Sequence, residues 1–104
     1  MTDFDTALAT FVAGCQSIIE RNIEANFPSV TVPTLSVDPR GKKYKRIVRT
    51  GPGETSVHCF VHAETGDVLK AAGWKAPAKG ARGNIFDDHN GLARMTPYGA
   101  GYNR

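Results

Sequence analysis

The spacing of apolar residues changes once along this chain, and that change dictates what it can fold into. Across residues 3–26, Phe4, Leu8, Phe11, Val12, Cys15, Ile19 and Ile23 recur at intervals of 3, 4 and 7, which puts them on one stripe of an amphipathic helix. Thr2 or Asp3 can cap its first turn, and Asp5 stands three residues after Thr2, where a carboxylate suits the helix dipole. Pro28 forbids continuation, because its ring clashes with the preceding turn and it lacks a donor. Gly14 in mid-helix costs roughly 1 kcal/mol relative to alanine, and close packing on a sheet is the expected reason for it.

From Val30 the period is two. Val30-Thr31-Val32 and Leu35-Ser36-Val37 alternate around Pro33, which predicts an edge or bulged strand. Asp38-Pro39-Arg40-Gly41 has the chemistry of a turn. Residues 44–50 form the next strand, closed by Gly51-Pro52-Gly53. Residues 56–62 follow, with Val57, Cys59 and Val61 on one face, and Ala63-Glu64-Thr65-Gly66 turns the chain into a partner strand at Val68-Leu69-Lys70-Ala71. A helix followed by an antiparallel meander predicts an α+β fold, with one long N-terminal helix on a sheet of three to four strands. With 104 residues the default is a single domain. Residues 1–27 are the helix, 30–71 the meander and 72–104 an irregular, Gly-rich arm. That arm holds six of the eleven glycines and little periodicity, with one short helix expected near residues 87–94, capped by Asp88. One helix covers only one face of such a sheet. Phe60, Ile47 and the apolar members of residues 74–95 are expected to cover the other, or a second copy of the chain does, which predicts a homo-oligomer, most simply a dimer.

Charge is distributed unevenly. Residues 1–39 balance at −4, residues 40–82 at +7, and the last 22 are neutral. A basic middle behind an acidic helix suits a surface that meets a polyanion such as DNA or RNA. Within Arg40-Gly41-Lys42-Lys43-Tyr44-Lys45-Arg46-Ile47-Val48-Arg49, strand alternation sets Lys43, Lys45, Ile47 and Arg49 on one face and Lys42, Tyr44, Arg46 and Val48 on the other. Cations about 7 Å apart along a strand can follow a phosphate backbone, and Tyr44 can stack on a base. The competing reading is a solvated strand whose lysines prevent edge-to-edge pairing. Trp74-Lys75-Ala76-Pro77-Ala78-Lys79-Gly80-Ala81-Arg82-Gly83-Asn84 combines glycines that allow close backbone approach with three cations. It lacks the spacing of a nucleotide-binding P-loop; the competing reading makes Trp74 a core anchor for a connector. The expected nucleic-acid site is therefore Lys43, Tyr44, Lys45, Arg46, Arg49, Trp74, Lys75, Lys79 and Arg82.

Signals for catalysis are weak. His58 and His62 lie four residues apart on a strand, roughly 13 Å, too far to share one ion, and are expected on the solvent or interface side of the sheet, flanking Phe60. Asp87-Asp88-His89-Asn90 groups acid–base and metal-ligand types, so a metal-dependent hydrolase using Asp87 and His89 is a remote alternative. Cys15 sits on the apolar helix stripe, a poor place for a nucleophile. No cofactor and no enzymatic activity are expected. No run of about 18 apolar residues marks a membrane span, the acidic start lacks the pattern of a secretory signal, and two cysteines do not make a disulfide framework. Together these predict an intracellular setting.

The run from Gly66 to Asp87, with the strand Val57-His58-Cys59-Phe60-Val61 before it and Pro97-Tyr98-Gly99-Ala100-Gly101-Tyr102 after it, resembles small uncharacterised proteins of tailed bacteriophages. The resemblance covers residues 56–104, carries no established activity, and implies a viral product in the cytoplasm of an infected bacterium or in the virion. It raises a second functional expectation: a structural or assembly protein acting through an oligomeric interface, with residues 96–104 as part of the interface arm.

Overall fold

The computed structural model describes residues 3–38, 40–93, 95–96 and 99–100. Expectations for Thr2, Pro39, Arg94, Pro97, Tyr98 and residues 101–104 lie outside the described residues.

The helix α1 spans Phe4–Asn26. Asp3 is its N-cap: Oδ1 accepts the Thr6 N–H at 2.7 Å, and this bond lowers the Asp3 carboxyl from its ordinary value. At the far end the Phe27 N–H reaches the Ile23 carbonyl at 2.7 Å, and Pro28 follows. Ala7, Leu8, Phe11, Cys15, Ile19 and Ile23 are all buried, so the predicted stripe is the packed one.

Five antiparallel strands form the sheet in the order of the sequence: β1 (Thr34–Asp38), β2 (Tyr44–Gly51), β3 (Glu54–His62), β4 (Asp67–Ala71) and β5 (Pro77–Asn84). Two short strands, β6 (Met95–Thr96) and β7 (Gly99–Ala100), pair with each other and lie against α1 and against β3 and β4. The fold is α+β, as expected, with one strand more than the expected maximum of four. The extra strand, β5, comes from the segment expected to be irregular. Its sequence, Pro-Ala-Lys-Gly-Ala-Arg-Gly-Asn, has no apolar alternation. It is held instead by backbone pairing to β4, with two irregularities in the register, and an edge strand needs a partner on one side only. Gly83 also admits the following turn: a Cβ there would stand 3.2 Å from the Gly91 carbonyl oxygen.

That turn, residues 85–91, replaces the short helix expected near residues 87–94. Asp87, rather than Asp88, organises it. Oδ1 accepts the N–H groups of His89 and Gly91, both at 2.9 Å, and Oδ2 accepts that of Asn84 at 3.2 Å. These bonds outweigh partial burial and hold its carboxyl below the ordinary value. Asn90, at a positive φ of 54°, donates from Nδ2 to the Ala7 and Ile85 carbonyls at 3.1 and 2.7 Å, tying the turn to α1. Leu92 then seats against Gly14, where a Cβ would come within 3.0 Å of its side chain. The mid-helix glycine therefore makes room for Leu92 and not for the sheet.

The core lies between α1 and one face of the sheet, where Phe11, Ile19, Ile47, Cys59, Val61, Val68 and Ile85 are almost wholly buried. Ile47 belongs to this helix-side core, with Ile85, Met95 and Leu92 packed into the same cluster. The expectation that Ile47, Ile85, Leu92 and Met95 cover the opposite face is thus corrected; of the expected set, Phe60 and Trp74 lie against Arg46 on that face. The free edge of β1 is closed by Gln16 of the helix. Its Nε2 donates to the Pro33 carbonyl at 2.9 Å and its Oε1 accepts the Leu35 N–H at 2.8 Å, as a neighbouring strand would.

Cys15 and Cys59 are free and buried. Burial pushes the Cys15 thiol up to about 12 and the Cys59 thiol well above its ordinary value, with Cys15 adding to the effect. Neither thiol is therefore expected to react with a thiol reagent at pH 8 in the native protein, and both are expected to react in urea. Fast native labelling of either would contradict this core.

Candidate nucleic-acid interface

The alternation of β2 carries Lys45, Ile47 and Arg49 to the helix side and Tyr44, Arg46 and Val48 to the opposite side. Ile47 fixes the assignment, because it is fully buried in the helix-side core. Opposite, the register pairs Arg46 with Asp38 of β1 and with Phe60 of β3. The Asp38 Oδ2 accepts from Arg46 Nη1 at 2.8 Å, and Arg40 adds bonds to Asp38 from its backbone N–H, Nε and Nη2 at 3.0, 3.0 and 2.9 Å. These bonds, those of Arg40 first, hold the Asp38 carboxyl far below the ordinary carboxylate range. One of the two guanidinium charges is therefore cancelled near neutral pH, and one remains.

Arg46 also brings the second sequence motif to the strand. Its Nε donates to the Trp74 carbonyl at 2.8 Å, and its guanidinium carbon lies 4.9 Å from the centroid of the Trp74 ring and 5.9 Å from that of Phe60. Tyr44 meets Phe60 edge-on at 6.3 Å and His62 at 5.2 Å, and the Lys43 ammonium stands 5.5 Å from the Tyr44 ring centroid. Arg40, Gly41, Lys42, Tyr44, Arg46, Phe60 and Lys75 line one depression of about 280 Å³. Four of these seven residues are cationic and two are aromatic.

The expected site is thus divided. Tyr44, Arg46, Trp74 and Lys75 come together, with Lys43 beside Tyr44. Lys45 is on the other face, opposite Val61 in register, and its Nζ donates to the Gly41 carbonyl at 2.9 Å. Arg49 shares that face. Lys79, exposed, and Arg82, half-buried, lie on β5 and do not line the depression. Arg40, Lys42 and Phe60 line it without having been singled out for it. The signal for Phe60 was available: it alternates with Cys59 and Val61, whose small apolar side chains read as core.

His58 departs furthest from expectation. Ile47 pairs with Cys59 and Val48 with Val57, so His58 is an extra residue in β3 opposite nothing in β2. It is 3% exposed rather than on a solvent face, and neither ring nitrogen has a partner among the described residues. β7 lies directly over it, at Gly99. Burial, and the Arg49 charge after it, press its pKa down to about 4. Val57, expected in line with Cys59, falls after the bulge and pairs with Val48 instead. His62 Nδ1 accepts the N–H groups of Glu64 and Thr65 at 3.1 and 3.3 Å, which closes the β3–β4 turn. Among the described residues no group of three or more His, Cys, Asp or Glu gathers where it could hold a metal ion, and the Asp87 carboxylate is engaged by its own turn. No helix among them is long and apolar enough to cross a membrane.

Residues 9–102 match the sequence family described as a family of unknown function, DUF7717. The chain belongs to that family. The match takes in α1 from its second turn, the whole sheet and the depression around Arg46. Because DUF7717 carries no assigned function, no residue role comes with it. No curated protein and no solved structure matches the chain.

Proposed function

We propose that this is a small non-enzymatic nucleic-acid-binding protein whose site is the sheet face opposite α1. The observation that carries the reading is the depression in which Arg40, Lys42, Arg46 and Lys75 surround Tyr44 and Phe60, with Trp74 stacked on Arg46. Arg40 and Arg46, held by Asp38, meet a phosphate backbone at less ordering cost than free side chains, and aromatic rings beside them meet bases. The surplus of positive charge in residues 40–82 supports the same reading, since it draws polyanions to this region of the chain.

The test is anisotropy of a labelled oligonucleotide across a salt series. Log K is expected to fall with log salt at a slope between about −2 and −4, as three or four phosphate contacts require. Lys42→Ala and Lys75→Ala are each expected to reduce the steepness by about 1, while Lys79→Ala, on β5 away from the depression, leaves it unchanged. Absence of binding at about 50 mM salt, where such contacts are strongest, overturns the reading and leaves the assembly-protein expectation to be tested by light scattering. Equal losses at Lys79 and Lys42 would show diffuse attraction to a basic surface and overturn the assignment of the site.

A further inference from the structure

We infer that Trp74 stacks on an unpaired nucleobase, through the ring face turned away from Arg46, so that the ligand class is single-stranded nucleic acid. This inference rests on the function proposed above and narrows it.

Trp74 is 44% exposed, so part of its ring is open to a ligand. It is nonetheless held in place. Arg46 lies against it at 4.9 Å and is fixed by two hydrogen bonds, from Nε to the Trp74 carbonyl and from Nη1 to Asp38, both 2.8 Å. The result is a two-layer stack with its outer layer prepared in advance. Trp74 also lines a second depression, of about 340 Å³, formed with residues 55–57 and 71–73. Arg46 does not line that depression, and Trp74 does not line the cationic one. Trp74 thus touches Arg46, which lines the cationic depression, and itself lines the uncharged one.

The recess has the chemistry of a base site. Its walls are Val57, Ala71, Ala72 and Gly73, small side chains beside a flat ring, with the Thr55 and Ser56 hydroxyls as its polar groups. Among the described residues no charged one lines it. A strand crossing this face can set its phosphates among Lys42, Arg40 and Lys75 and turn one base into the recess. Duplex bases are stacked on one another and cannot reach the indole face without leaving the helix. Tyr44 is the weaker platform, because its ring is already engaged by Phe60, His62 and Lys43.

Trp74 is the only tryptophan in the chain, so its fluorescence reports the site directly. Binding of an oligothymidylate is expected to quench the emission. An oligomer of abasic residues of the same length is expected to bind with the same salt slope and without quenching. Trp74→Ala removes the ring but keeps the backbone carbonyl that Arg46 uses. It is expected to weaken single-strand binding roughly 5- to 150-fold, the range measured for loss of one base–aromatic stack, with the salt slope and the circular dichroism unchanged. Trp74→Phe is expected to recover part of the loss. Binding without quenching, and with equal affinity for wild type and Trp74→Ala, overturns the inference and leaves the phosphate-binding reading standing. Tighter binding of duplex than of single strand does the same. Failure of every oligonucleotide to bind overturns the function proposed above and the inference with it.

Discussion

Phe11→Ala is expected to destabilise the protein by about 3–5 kcal/mol, the usual range for deleting a buried phenylalanine ring. Phe11 is fully buried at the middle of the α1 stripe, and it belongs to one cluster with Cys15, Ile47, Cys59, Val61 and Val68. Every layer of the fold meets there: the helix, three strands of the sheet and, through Ile85 and Met95, the C-terminal segment. The cavity left behind cannot be closed by a small shift of one neighbour, so the loss should fall at the upper part of the range. Domains of this size are stable by about 5–15 kcal/mol in all, so the variant stands close to unfolding. Urea titration is the measurement: the midpoint should fall with little change in slope, and Phe11→Leu, which keeps most of the volume, should lose far less. A loss under about 1 kcal/mol for Phe11→Ala would mean that α1 does not pack on the sheet as described.

Acid sensitivity provides the second large effect. His58 is neutral and buried, with its pKa at about 4 against 6.5 for a free histidine. Between those two values the unfolded chain takes up a proton that the folded chain refuses, so folding stability falls as pH falls through this window. The difference of 2.5 units corresponds to about 3 kcal/mol at pH 4 and below, and none of it is felt above pH 7. Asp38 acts in a separate window: its depressed carboxyl contributes stability that is lost only as pH drops below the ordinary carboxylate value of 3.8. Unfolding midpoints at pH 7, 5.5 and 4 should therefore fall steadily in the wild type. In His58→Leu they should hold nearly level over the same interval. Because neither imidazole nitrogen has a partner among the described residues, the apolar replacement should not weaken the protein at pH 7. An undiminished acid slope in that variant would assign the effect elsewhere.

The helix was legible because Leu8, Phe11, Cys15, Ile19 and Ile23, all buried, repeat with its pitch. β1 to β4 were legible from alternation and turn chemistry. β5 was not: Pro77–Asn84 contributes backbone groups rather than apolar side chains, and periodicity detects only the latter. The burial of His58 was hidden for a related reason, since a bulge changes the face of a residue without any glycine or proline to announce it.

The site was half legible. Tyr44, Arg46, Trp74 and Lys75 were named from charge and aromatic content, but their meeting depends on the pairing of β1 with β2 and on the Trp74 carbonyl lying within reach of Arg46, neither of which is a local property. Lys45 and Arg49 were placed with them because a run of cations does not say which side a helix will cover. The one apolar member of their row, Ile47, held that information.

The bond from Asn90 to Ala7 joins residues 83 positions apart, whereas each strand of the main sheet pairs with its immediate neighbour in sequence. The hairpins can therefore form early and independently, while closing the long loop carries an entropic penalty of about 4 kcal/mol plus a constant. During synthesis the apolar stripe of α1 emerges first, and Ile85, Leu92 and Met95, which complete its cover, emerge last. Docking of the segment from Ile85 to Met95 is thus expected to be a late event on the folding route. Substitutions there should accelerate unfolding and leave the refolding rate almost untouched.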